Sequence, residues 1–202
     1  MLPVAREAVW LVYILIAATA VAFAFSMQWV GAILVVLVLA CVFLLRNFRR
    51  SVPPLPLSCL SPVDGVVVEV TKTTDPYLSR PTVCYEIRQS YLGEFNLYCP
   101  VEGKIERLWV RDPQDKNIDV LAFCIITDEG DSILTRVDLQ SHLRHATTSL
   151  QPGERIGQGQ RCGFAGIGCR VNVYLPANVI QTAHPGDSVR AGVDILATLV
   201  RV

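Results

Sequence analysis

Two long uncharged apolar runs at the N-terminus constrain this chain more than any other feature. AVWLVYILIAATAVAFAF covers about 8–25 and WVGAILVVLVLACVFLL covers about 29–45, with only Ser26, Met27 and Gln28 between them. Each is about as long as a helix that crosses a hydrocarbon core, roughly 17–25 residues. Neither has the polar face expected of a helix packed on a water-soluble core. A cleaved leader would show one shorter run followed by a small-residue cleavage site. The pattern predicts a transmembrane helical hairpin over 1–50. Arg6 precedes the first run, Arg46, Arg49 and Arg50 follow the second, and the connecting turn is uncharged. The positive-inside rule then puts the hairpin in the inner (cytoplasmic) membrane, with the rest of the chain on the cytoplasmic side. The same arginines suit anionic lipid headgroups.

Residues 51–58, SVPPLPLS, read as a proline-rich extended linker. From 59 to 202 the texture is that of an all-β soluble domain. GVVVEV (65–70), LAFCIIT (121–127), RVNVYL (170–175) and DILATLV (194–200) are rich in branched residues and bounded by turn formers. One short helix is expected around 137–145. The formal net charge is zero, so no basic surplus points to nucleic acid. Seven cysteines without a C-x-x-C pair fit a reducing compartment and buried, filler-type thiols, not a disulfide framework or metal site.

Internal repetition organises this domain. SPVDGVVVEV (61–70) and CPVEGKIERL (99–108) share Pro-Val-acid-Gly, and PGERIGQGQ (152–160) and PGDSVRAGV (185–193) share Pro-Gly-acid-x-[Ile/Val]-x-x-Gly. Both half-motifs recur in the same order. Turns of this chemistry leading into β runs suggest a duplicated, flattened barrel of the lipoyl or biotinyl carrier type, with a pseudo-two-fold relation. A carrier function is disfavoured, because IGCRVN offers no lysine to modify.

Over nearly its whole length the chain resembles the short, membrane-hairpin type of phosphatidylserine decarboxylase. LSPVDGVV is similar to that family's S-P-A-D-G-x-V, LYCPVEGKI to its P-V-x-G-x-V, and LQPGERIGQGQRCGFAGIGCRVNVYLP to its long block ending F-G-S-R-V-D-V-x-L-P. The resemblance implies a chain that cuts itself. A serine after glycine attacks the preceding carbonyl, β-elimination breaks the chain, and a pyruvoyl group forms at the new N-terminus and serves decarboxylation of phosphatidylserine to phosphatidylethanolamine. Carried over, the cleavage site is Gly168–Cys169, the pyruvoyl precursor is Cys169, and the assisting aspartate is Asp64. The family's histidine position is Phe95, and the aspartate two residues before it is Gly93.

Cysteine for serine keeps a nucleophile, since an N-to-S acyl shift is the sulfur version of the same step. Phenylalanine for histidine removes general-base help worth about 10²–10⁴-fold. Arg170 follows Cys169 but points to the opposite face of a strand. His142 and His145, three apart, and His184 in a turn read as structural, and Asp64 has an ordinary turn role open to it, as does its counterpart Glu102. Two functions follow. One is a self-processing pyruvoyl lyase acting on a membrane phospholipid. The other is an unprocessed, catalytically degenerate member serving as a lipid-binding or protein-docking module. No metal and no nucleic acid are expected, a homo-oligomer is left open, and protein partners are unspecified.

Overall fold

The computed structural model describes residues 9–44, 55–91, 93–112, 118–139, 146–166 and 168–200. The chain divides into two compact units, 1–49 and 50–202. The first contains α1 (Val9–Ala24) and α2 (Gln28–Leu44). α1 stops where Ser26 turns to φ 60°, and Gly31 gives way to the Phe23 ring, whose Cζ would lie 2.8 Å from a β-carbon there. The two helices have 16 and 17 residues. At 1.5 Å per residue the described part of the first is about 24 Å long, against a hydrocarbon core of about 30 Å. Among the described residues no helix is long and apolar enough to cross a membrane. The expected two-helix transmembrane hairpin is corrected accordingly. Arg6, Arg46, Arg49 and Arg50, which carried the orientation reading, lie outside the described residues, as do 51–54 of the expected linker.

The second unit is built from strands: β1 (Ser58–Leu60), β2 (Gly65–Thr74), β3 (Pro81–Gln89), β4 (Asn96–Tyr98), β5 (Gly103–Arg111), β6 (Asp119–Ile126), β7 (Ser132–Asp138), β8 (Thr147–Thr148), β9 (Arg155–Ile156), β10 (Arg161–Phe164), β11 (Arg170–Pro176), β12 (Val179–Gln181), β13 (Ser188–Val189) and β14 (Ile195–Leu199). They form an eight-stranded sheet, β13-β2-β3-β11-β7-β6-β5-β9, and two three-stranded sheets, β1-β14-β12 and β4-β10-β8. The helix expected around 137–145 begins instead inside β7, whose Val137 and Asp138 pair with β11 and β6. His142 and His145 lie outside the described residues.

The repeated motifs pair with one another. The Pro-Val-acid-Gly strand β2 takes the Pro-Gly-acid strand β13 as its edge, Gly65 opposite Val189. Likewise β5 takes β9, Gly103 opposite Ile156. Backbone bonds outside the strands follow the same relation: Leu60 N–H donates to the Pro100 carbonyl and Tyr98 N–H to the Pro62 carbonyl, each at 2.9 Å. One copy, 96–164, thus sits in sequence between the two parts of the other, 58–89 and 170–199. The two copies share one sheet where a duplicated, flattened barrel of the lipoyl or biotinyl type was expected. β11 and β7 pair from Arg170↔Asp138 to Tyr174↔Leu134, joining four strands of each copy into one sheet, and this corrects the expected barrel.

One face of that sheet carries the main core, which includes Cys59, Tyr85, Ile87, Leu97, Phe123, Cys162, Cys169 and Val171. On the other face a smaller cluster gathers Cys84, Cys124, Leu134 and Tyr174 under Tyr77 and Trp109. All seven cysteines are free thiols and six are buried. Burial pushes Cys84 and Cys124 up to about 12, so these thiols stay protonated and unreactive near neutral pH.

Candidate functional site

Two connections converge on the Gly168–Cys169 peptide: 89–95, leading from β3 to β4, and 165–169, leading from β10 to β11. The β3–β11 register sets Arg170 opposite Arg88, which brings Cys169 against Gln89. Gln89 N–H donates to the Cys169 carbonyl at 3.0 Å, and Cys169 N–H donates to Gln89 Oε1 at 3.1 Å. Gly168 has φ 64°, and a β-carbon on it would lie 2.6 Å from Cε1 of Tyr91. Glycine is favoured before the cysteine by the left-handed backbone, while the exposed Tyr91 ring could swing away from a side chain there.

The Cys169 side chain is fully buried. Its thiol donates to the Ala165 carbonyl at 2.7 Å, and Ala165 N–H donates to the Phe95 carbonyl at 2.8 Å. Position 95 is thereby linked to the thiol through one residue. Phe95 is 4% exposed, and its ring packs edge-on to Phe164 with centroids 6.4 Å apart.

Asp64 joins the same segment. Its carbonyl accepts from Ser90 N–H, its Oδ2 accepts from Glu94 N–H at 2.8 Å, and its Oδ1 accepts from Ala191 N–H at 2.8 Å. Gly93 lies so close that a β-carbon on it would be 2.6 Å from Asp64 Cβ. The counterpart in the other copy, Glu102, is instead an exposed partner of Arg155. The two acids at equivalent positions therefore do different work: one clamps loops beside Cys169, the other sits in solvent.

The structure thus gathers Asp64, Gly93, Phe95, Gly168 and Cys169 around the 89–95 segment. His184 belongs to an exposed turn, where its N–H donates to Asp187 Oδ2 at 2.8 Å. Arg170 points to the other face of the sheet, 3.5 Å from Glu86. Among the described residues no group of His, Cys, Asp or Glu side chains could hold a metal ion.

Two polar residues of the site were missed in the sequence reading. Gln89 is 1% exposed, and the period-2 alternation Val83, Tyr85, Ile87, Gln89 was the available signal for an inward glutamine. Glu94, also 1% exposed, accepts at Oε2 from Tyr98 Oη at 2.9 Å. Nothing local in GEFN marks that carboxylate as buried.

Comparison with known proteins bears on what this cluster descends from. No family model matches the chain, and no solved structure matches it. Relatives do. The chain is 32% identical to the phosphatidylserine decarboxylase proenzyme of Nitrosomonas eutropha, covering 86% of this chain and 85% of that one. It is 33% identical to that of Nitrosomonas europaea, covering 79% of each, and 30% identical to that of Ralstonia nicotianae, covering 80% of each. Identity of this level over most of both lengths is common descent, and the chain belongs to the phosphatidylserine decarboxylase proenzyme family.

Proposed function

We propose that this member of the family stays a single polypeptide and works as a phospholipid-binding module, not as a decarboxylase. Proenzymes of the family are pyruvoyl-dependent in general, and Cys169 would be the precursor of that group here. The residues around it do not fit its formation. Elimination requires a base to take the proton from the Cys169 α-carbon. Position 95, where the resemblance implies a histidine, holds a buried phenylalanine packed on Phe164, and a phenyl ring cannot accept a proton. Each carboxylate oxygen of Asp64 accepts a backbone amide, from Glu94 and Ala191, which suits a clamp. Phe95 is the observation that carries the reading.

The ligand follows from the relatives, which are named for phosphatidylserine. The competing reading is self-cleavage at Gly168–Cys169 to a pyruvoyl enzyme that converts phosphatidylserine to phosphatidylethanolamine. Vesicles of phosphatidylcholine with and without phosphatidylserine separate the two. The expected result is co-sedimentation that depends on phosphatidylserine, with carbon dioxide release no greater than that of Cys169→Ala. Release that depends on Cys169 would overturn the silent assignment, and equal sedimentation with both vesicle types would overturn the binding one.

A further inference from the structure

The Gly168–Cys169 turn has a counterpart in the other copy. Between β6 and β7, Thr127 N–H donates to the Asp131 carbonyl at 2.8 Å and Asp131 N–H to Thr127 Oγ1 at 3.2 Å, the same two bonds that join Gln89 to Cys169. Gly130 at φ 90° stands where the first copy has Gly168 at φ 64°, and Glu102, ahead of Gly103, stands for Asp64, ahead of Gly65. What differs is the space over the acid. Glu94 N–H donates to Asp64 and Gly93 lies against its β-carbon, so the 93–94 segment fills that place. In the other copy β6 turns straight into β7, and the corresponding place beside Glu102 is a cavity of about 310 Å³, the size of a small-molecule site.

The lining sets the chemistry this cavity can take. Glu102, Asp128 and Glu129 give it three carboxylates, and Arg155, paired with the first two, returns one positive charge. Among the described residues these acids are not grouped to hold a metal ion, so the cation that fits is an organic one. Leu57, Val101 and Leu199 form an apolar wall. Thr127 lines the same cavity and is only 7% exposed. Its oxygen accepts from Asp131, and among the described residues its hydroxyl proton has no acceptor, a buried donor left for a ligand. Leu57 is held at φ 66°, a left-handed backbone that costs a leucine energy and recurs at ligand clamps. We infer that the cavity binds a 2-aminoalcohol unit, its ammonium among the three carboxylates, its oxygen on the Thr127 hydroxyl and its carbons against the apolar wall. The unit occurs free and as an ester in a lipid headgroup. A carboxylate added to the same carbons, as in a serine headgroup, would meet Glu102 and Asp128 and is rejected by like charge. The site is therefore separate from the phosphatidylserine reading and does not rest on it.

Titration calorimetry of the full-length protein with ethanolamine hydrochloride tests the inference. 1-Propanol, of the same size without the charge, is expected to bind about tenfold more weakly. n-Propylammonium keeps the charge but loses the oxygen, and is expected to bind about fivefold more weakly, the effect of one hydrogen bond. Thr127→Val removes that second preference and leaves the first. Glu102→Gln and Glu129→Gln each weaken ethanolamine about two- to fivefold, and Cys169→Ala leaves it unchanged. Competition identifies the source. Displacement of ethanolamine by phosphatidylglycerol vesicles that contain phosphatidylethanolamine, and not by phosphatidylglycerol alone, supports a headgroup; no displacement by either supports the free aminoalcohol. Ethanolamine binding no tighter than 1-propanol overturns the inference, even if no variant folds. Undiminished binding by a folded chain carrying both Glu102→Gln and Glu129→Gln overturns it too, and loss of binding in Cys169→Ala overturns it by placing the amine at the other turn. Sedimentation with phosphatidylserine vesicles, expected to be unchanged in the Glu102→Gln, Glu129→Gln chain, tests the phosphatidylserine reading on its own.

Discussion

Replacing Phe95 by histidine is expected to convert the intact chain into two fragments, 1–168 and 169–202, on a time scale of hours. The backbone at position 95 holds Ala165, and Ala165 holds the Cys169 thiol, by bonds of 2.8 and 2.7 Å. An imidazole at 95 would enter a buried site smaller than the phenyl it replaces, and burial would keep it neutral and able to accept a proton. General-base help of this kind is worth about 10²–10⁴-fold, enough to carry a reaction from undetectable to complete. Restoring the acid at 93 as well should fail. A side chain there would start 2.6 Å from Asp64 Cβ, so Gly93→Asp with Phe95→His displaces the segment it is meant to repair. Denaturing mass spectrometry over time reads both variants. A folded Phe95→His chain that remains whole would remove the missing base as the cause of silence.

The second large effect lies in the repeat. Gly65 and Gly103 open equivalent strands, and a β-carbon on either would press into the partner strand's backbone at the carbonyl of Arg88 or of Ile126. It would also meet Ile87 Cγ2 at 3.0 Å or Ile125 Cγ2 at 2.8 Å. Because the obstacle is backbone, relief requires strand movement, and each Gly→Ala change should cost about 3 kcal/mol, the upper part of the overpacking range. For a domain of this size that lowers Tm by roughly 6–12 °C. Gly186→Ala is the control: it has φ 96° but open space around it, and should cost about 1–2 kcal/mol. Calorimetry decides. Unequal losses at Gly65 and Gly103, or losses no larger than at Gly186, would contradict the structural equivalence of the two copies.

What the sequence could and could not announce follows from the range of the interactions. The recurrence of the two half-motifs was legible because their turn chemistry is written twice, whereas the pairing of β2 with β13 and of β5 with β9 came from the structure. The Gly168–Cys169 pair was singled out through the family resemblance, not from any local signal. The joining of β11 to β7 was hidden, since nothing in either strand marks its neighbour. Asp64 offered, apart from the resemblance, only an Asp-Gly turn, and its partners come from Glu94 and Ala191, 30 and 127 positions away. Gln89 followed the inward alternation of β3 and was missed. The apolar runs at 8–25 and 29–45 were read by composition. Ser26, at φ 60°, breaks the path between their two helices.

The central claim is that this chain keeps the Gly168–Cys169 peptide closed. Denaturing mass spectrometry of the purified full-length protein measures this directly. The account predicts one species at the mass of the whole chain, 22.3 kDa, with a thiol at Cys169 that alkylates once the protein is unfolded. Two species corresponding to 1–168 and 169–202, the smaller blocked by a ketone at its N-terminus, would contradict it.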